Sequence, residues 1–389
     1  MRDDLEARLG DTPSGIPDSG PDLAGLSRRA AARRSRRIIA ATVAAALVLA
    51  GVAVPLAIVA PLGGHHPVKG GIGPTPRSGH LVVVSTTRMP HGITDVAVGE
   101  GWVWVSGSNE LDRVDPHTGR VAKRIRLPAT GEDASIAFGF GSVWVTGGID
   151  SRSAGLFRIN PTTGQVTSIR TPLASGVATG GGFVWVTHPT QDRGQLIRVD
   201  PATNHVAGAP IVVGVGPGGV IAAAGFLWVT ESSNPAGVTK VDPTTGKVVR
   251  TLHRVSIVEA FGAGSLWGLG TGPDDVSRID PLTGQVVATI AVPRVGTVAY
   301  GDGTLWGLTS PRSSSQYVYE PIPGSKGDVF RIDPATNRLV GKAIPFGITP
   351  AAIAADRSGA WVGDSNAEKL THIVLAPVAG SESGSPSAP

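Results

Sequence analysis

The chain contains no cysteine, which excludes disulfides, a thiolate nucleophile, thiolate-ligated zinc and a lipid on a mature N-terminal cysteine. Aromatic residues make up 5% and charged residues 16% of the 389 positions, whereas Gly reaches 54 and Pro 31. That balance predicts many turns and few long helices, in two or three ordinary domains or one large repeat domain. Signatures of common catalysts are missing as well. There is no Gly-x-Ser-x-Gly elbow, no His-Glu-x-x-His and no phosphate loop. The glycine-rich run Gly214 to Gly219 lies between strands, not ahead of a helix, so it does not read as a phosphate site.

Charge is present but unevenly placed. Residues 1–37 hold eight Arg and six acids, and six of those Arg fall within 28–37 with no acid among them. Residues 81–377 hold 24 basic and 23 acidic side chains, so the folded part is close to neutral. A nucleic-acid binder carries its basic footprint on the folded domain; that class is set aside.

Residues 1–37 read as a polar, basic, disordered cytoplasmic tail. Ile38 to Leu62 then runs without a charge, long enough to cross a bilayer as a helix. The arginines before it, with only Lys69 and Arg77 soon after, place the tail in the cytoplasm and the rest outside. The expected location is thus the cell membrane, single-pass, with residues 38–62 as signal-anchor. The alternative is a secreted protein, released after cleavage near Gly51-Val52-Ala53. Residues 63–80 form a linker in which His65, His66 and His80 read as solvated, not metal-bound. Residues 378–389 read as a disordered tail.

Between these, one turn is used six times. Val114-Asp115-Pro116-His117-Thr118-Gly119 has near-copies at Asn160, Asp200, Asp242, Asp280 and Asp333. The Asp or Asn can accept backbone amides just ahead, Pro fixes the first corner, and the last position needs a left-handed backbone. Where Gly is replaced there, at 204 and 337, the substitute is Asn, which tolerates positive φ next best. Trp104, Trp144, Trp185, Trp228, Trp267, Trp306 and Trp361 recur at spacings of 39 to 43 residues, the last at 55. Each lies in a strand opened by a Gly-x-Gly-like turn and preceded by a small-residue strand. Four short strands per unit of about 40 residues is the period of a propeller blade.

Seven Trp strands meet only six turns. The last unit has three strands, and the strand at Leu81 to Thr87 has no blade before it. Letting residues 81–87 complete the seventh blade removes two open sheet edges. The fold class expected is all-β: a seven-bladed β-propeller of four-stranded blades over 81–377, its N-terminal strand closing the last blade, preceded by one transmembrane helix.

At the Gly-x-Gly-x-x-Trp-Val and Asp-Pro-x-Thr-Gly motifs the chain resembles the YVTN-type β-propeller repeat proteins of bacteria. Its repeat style is similar to the virginiamycin B lyase family. The unit is also similar to quinoprotein-like blades, but lacks the Trp those place after the Thr-Gly turn, against a quinone cofactor. The lyase resemblance implies His and Glu side chains with a magnesium ion near the channel mouth. No innermost strand carries a His, so that constellation is not reproduced.

The constant turns share one face, leaving variable loops on the other, where recognition is usually carried. A small-molecule or protein ligand is expected there. Its candidate contacts are His188, Asp192, Arg193, Glu231, Asp274, Asp275, Arg312, Tyr317, Tyr319 and Glu320. Asp274-Asp275 also has the composition of a calcium ligand pair, though such exposed pairs are usually solvated. One innermost position breaks pattern. The column Val96, Ile136, Val177, Val220 and Val298 has Glu259 in blade five, and a carboxylate there is expected to be paired or to have a raised pKa. Glu259 is the candidate catalytic acid or base of a lyase-like alternative, with His253 or His188 nearby on loops. No metal ligand or cofactor is expected, magnesium entering only with that alternative. A further alternative is a transmembrane sensor signalling through residues 1–37.

Overall fold

The computed structural model describes residues 79–128, 134–147, 155–190, 193–232, 236–272, 274–309, 326–347 and 350–377. Residues 38–62 lie outside them; among those described, no helix is long and apolar enough to cross a membrane.

Seven antiparallel sheets follow one another along the chain. Blade one comprises Asp95–Gly99, Trp102–Gly107, Glu110–Val114 and Val121–Arg126, in that order from inside out. Blades two to six repeat the plan over residues 136–169, 177–213, 217–252, 255–291 and 295–346. Blade seven has Pro350–Asp356, Gly359–Asp364 and Lys369–Pro377, and its outer strand is Gly79–Arg88 from the start of the region. Gly79 pairs with Pro377 and Arg88 with Lys369, so the closing strand begins two residues before the expected 81. Each inner strand contacts the next, and that of blade seven contacts that of blade one.

The repeated turns take the geometry their residues require. The Asp115 carboxylate accepts the amides of His117 and Thr118, two and three residues ahead, at 2.7 and 3.1 Å. These bonds hold its pKa below the usual carboxylate range, and Asp242 and Asp280 are lowered for the same reason. Asn204 and Asn337 adopt φ of 60° and 57°, beside 67° at Gly119. A register shift between Arg113 and Val114 is the closing bulge.

The seven Trp rings are at most 1% exposed and fill the spaces between blades. Trp361, for example, packs with Met89, Val96 and Val103 across the closing seam. Indole N–H groups of Trp104, Trp144, Trp185 and Trp267 donate to the first Gly carbonyl of their own Gly-x-Gly turn, at 2.9–3.0 Å.

A cation completes this scheme. Arg113, Arg158, Arg198, Lys240, Arg278 and Arg331 sit two residues before the turn Asp or Asn, each over an aromatic ring of its own blade. Arg158 donates to the Pro201 carbonyl at 2.6 Å and Arg278 to that of Pro334 at 2.7 Å, in the next blade's turn. In blade seven His372 takes this place, stacked on Trp361 at 4.0 Å. Burial lowers its pKa, favouring the neutral ring.

Candidate functional site

The loops joining second to third strands, and those leading into each inner strand, meet on the face opposite the Asp-Pro turns. Of the candidate contacts there, Asp192, Arg312, Tyr317, Tyr319 and Glu320 lie outside the described residues. The others do not converge on one cluster. His188 Nδ1 lies 2.6 Å from the Leu173 carbonyl. Glu231, 4% exposed, accepts the Gly214 amide at 2.8 Å. Asp274 accepts the Arg294 amide at 2.6 Å. Asp275 is half-buried, its pKa raised by burial and by neighbouring Asp274 despite the Gly270 amide. Each therefore pins a loop of its own blade. Arg193 is exposed.

Two glycines make room for these acids. A Cβ on Gly214 would lie 2.0 Å from a Glu231 carboxylate oxygen, and one on Gly270 would lie 2.2 Å from Asp275.

Glu259 is 1% exposed and sits where the pairing slips, between Val258–Gly268 and Ala260–Trp267. It is the extra residue of a β-bulge, so its column holds by count but not by pairing. Oε2 accepts the Val298 amide of the next blade at 2.8 Å, while Oε1 has no hydrogen-bond partner. Thr297 stands close enough to favour the charged form, yet its hydroxyl too falls outside hydrogen-bond geometry. Burial outweighs both contacts and pushes the pKa up to about 8. A second buried acid does the same job in blade one. Asp95, 0% exposed, accepts its neighbouring Val96 amide at 2.8 Å and the Ile136 amide of blade two at 3.0 Å. Ile136 and Val298 are equivalent positions, so Glu259 and Asp95 are two forms of one inter-blade tie.

This setting does not fit magnesium. The ion takes near-octahedral oxygen ligands and keeps several waters, whereas Glu259 is enclosed. The one group of three metal-ligand side chains among the described residues excludes Glu259, His188 and His253.

That group is His91, Glu110 and Asp112, whose donor atoms lie within 4.8 Å of one another. His91 is on the loop from the closing strand into blade one, the other two on blade one's third strand. The His91 Nε2 is 2.9 Å from Asp112 Oδ2 and 3.9 Å from Glu110, and Nδ1 is 2.8 Å from the Gly92 carbonyl. An acceptor at each ring nitrogen makes both nitrogens donors, which is the imidazolium form. The pKa is accordingly raised, first by the Asp112 bond, with burial opposing. Arg124 adds a contact of 3.7 Å to the other Asp112 oxygen. A ring so engaged offers no lone pair to a metal or a substrate proton; the cluster is an ion-paired clasp beside the seam. Sequence reasoning missed it. Asp112 was detectable, since its column elsewhere holds Phe157, Ile197, Thr239, Ser277 and Phe330. His91, 21 residues earlier on a loop, carries no pattern of its own.

Comparison with known proteins agrees on the fold. A family model described as a repeat of unknown function (DUF6923) matches residues 87–187. It supports a propeller repeat protein and does not extend to the YVTN or virginiamycin B lyase type. A search of curated proteins finds no match. Among solved structures, a chain of the "Crystal Structure of Mitotic Checkpoint Complex" is similar at TM-score 0.56 and 13% identity, over 85% of this chain and 100% of that one. The Neurospora crassa Pan2 WD40 domain is similar at TM-score 0.58 and 10% identity, over 78% and 98%. At such identities the likeness is one of fold: the class is the seven-bladed β-propeller.

Proposed function

We propose that the protein is a membrane-anchored, extracytoplasmic propeller that binds a protein or small-molecule ligand on its variable-loop face. One observation carries this reading: every repeated device gathers on the turn face and between blades. The opposite face is left to loops that differ in length and composition from blade to blade, and a fixed scaffold with free loops is how binding modules are built. The structural neighbours, one titled as a mitotic checkpoint complex and the other as a WD40 domain, support a protein partner. The arginines of 28–37 and the uncharged run 38–62 support the anchor. A lyase-like activity is not favoured, since Glu259 is enclosed and already ties two blades together.

Absence of cysteine makes the test clean. Single-cysteine variants at Arg193, on the loop face, and at Leu282, 74% exposed on a turn, would carry a short photocrosslinker in intact cells. Both should react with a membrane-impermeant maleimide, and a discrete crosslinked species should form from Arg193→Cys alone. Labelling only after lysis would refute the topology, and equal crosslinking from both positions would refute the face.

A further inference from the structure

The six cations over the aromatic rings are not used alike. Arg113, Arg158, Lys240 and Arg278 each donate to the proline carbonyl of the next blade's turn, at 2.6–2.9 Å. Arg331 is 2% exposed and faces blade seven, which has no Asp-Pro turn. Arg198 differs from all of these. Blade four presents its turn at Asp242-Pro243, yet among the described residues Arg198 donates only through Nε, to the Ala207 carbonyl of its own blade, at 3.2 Å.

The reason is local. The outer strand of blade three is broken into His205–Val206 and Ile211–Val213, and the four residues between loop outward. Ala207 turns back to donate its amide to the Arg198 carbonyl at 2.8 Å. In blades one and four the outer-strand residue opposite the cation adds a second tie, Lys123 to Thr163 and Arg250 to Thr283. In blade three Ala207 stands opposite the cation and has no side chain to make that tie.

What remains is a cavity of about 620 Å³ between the outer strand of blade three and the turn of blade four. Trp185, Ile211, Val212 and Val248 form apolar walls, with Arg198 and Thr244 as polar groups. The half-buried guanidinium lies 4.4 Å from the centre of Phe183 and 6.0 Å from Trp185. Its plane is thereby fixed, while Nη1 and Nη2 carry no hydrogen bond to any described residue. A flat guanidinium with one edge open suits the two oxygens of a carboxylate, and the volume lies in the usual range for small-molecule sites. The adjacent Thr245 hydroxyl donates to Asp242 at 2.9 Å, so a carboxylate of blade four stands close by. That charge disfavours a phosphate dianion more than a monoanion.

The geometry points to a binding site for a small apolar carboxylate at the blade three–four rim, on Arg198, away from the variable-loop face. The test is calorimetric titration of the purified full chain with benzoate, hexanoate, benzamide and inorganic phosphate. Saturable binding of a carboxylate is expected, with benzamide and phosphate at least tenfold weaker. Arg198→Gln should weaken the carboxylate at least tenfold, whereas Arg158→Gln, at an equivalent but tied position, should leave it unchanged. Ala209→Trp, which fills the cavity and keeps Arg198, should abolish binding and guards against a misfolded Arg198 variant. Absence of saturable carboxylate binding, preference for phosphate or benzamide, or equal loss in the Arg158 variant would overturn the proposal.

Discussion

The two faces of the ring use the same kinds of residue for opposite kinds of order. On the turn face, one solution is copied. An Asp or Asn caps its own turn, a cation lies on an aromatic ring, and in four blades that cation reaches the next turn. On the loop face, among the described residues, four blades each make a different polar contact: His91 with Asp112, His188 with Leu173, Glu231 with Gly214, Asp274 with Arg294. Copying makes the first face recognisable and leaves it little scope to vary. Local invention makes the second variable, yet each invention is still used to hold a loop. Polar character on a variable face is therefore not sufficient evidence of a binding residue. The groups to suspect are those whose equivalents are tied and which are not tied themselves.

The comparison breaks most visibly at the cations. Arg278→Ala removes charge-assisted bonds to Pro334, Asn337 and Ser265 and the contact with Trp267. A loss of about 2–3 kcal/mol is expected, against under about 1 kcal/mol for Arg198→Ala. Urea midpoints at constant m-value decide it; equal shifts would show that the ties between blades add nothing.

The buried acids sharpen it further, with opposite signs. Glu259 has one bonded and one unpartnered oxygen, so Gln keeps the Val298 bond and offers its amide to Thr297. Because the folded pKa is raised to about 8, the cost of the acid is absent below its unfolded value. It grows as pH rises and is complete above about 8. Glu259→Gln should stabilise by about 1–3 kcal/mol at neutral pH and by almost nothing near pH 4. Asp95 uses both oxygens as acceptors, so Asp95→Asn sets an N–H against an N–H and should destabilise by about 1–3 kcal/mol. Thermal melts of the two variants across pH 4–9 would expose the idea as wrong if their signs agreed.

Smaller effects follow at the clasp. With its folded pKa above the ordinary value of 6.5, His91 contributes fully below that value and loses its contribution as pH rises through the folded pKa. His91→Gln should cost about 1 kcal/mol at pH 5–6 and less at pH 9. A difference from wild type that does not change with pH would remove the imidazolium from the account. Least of all, Asn204→Gly and Asn204→Ala both lose the Arg158 bond to Oδ1, and Ala should cost about 1 kcal/mol more than Gly, since only Ala meets resistance at φ of 60°.

How much of this was legible follows from the same contrast. The blade count, the closing strand and the left-handed turn positions were readable, because repetition averages over local accidents and Asn for Gly at 204 and 337 is itself a conformational signal. The cation before each turn was equally visible, as Arg or Lys, then Val or Ile, then Asp or Asn, then Pro, and its partner in the next blade was not. Burial of Glu259 was inferred from its apolar column, but the bulge that admits it was not, since a one-residue slip leaves no mark in composition. His91 and Asp112 meet only because the seam folds a loop onto a strand. The Arg198 cavity depends on a broken outer strand that Asn204 to Ile211 does not announce.

The closing strand sets an order of events as well as a topology. Gly79–Arg88 is made first and pairs with Lys369–Pro377, made last. At ordinary synthesis rates the early strand waits roughly 15–60 s for its partner. During that interval six blades can stack, while blade one's free flank, with Met89 and Val96, has nothing to cover it. Ring closure is the contact of greatest sequence separation in the molecule and so the slowest to form. Once made, it also fixes where force enters: tension on the chain ahead of residue 79 is borne first by those strand-to-strand hydrogen bonds, before any blade is loaded.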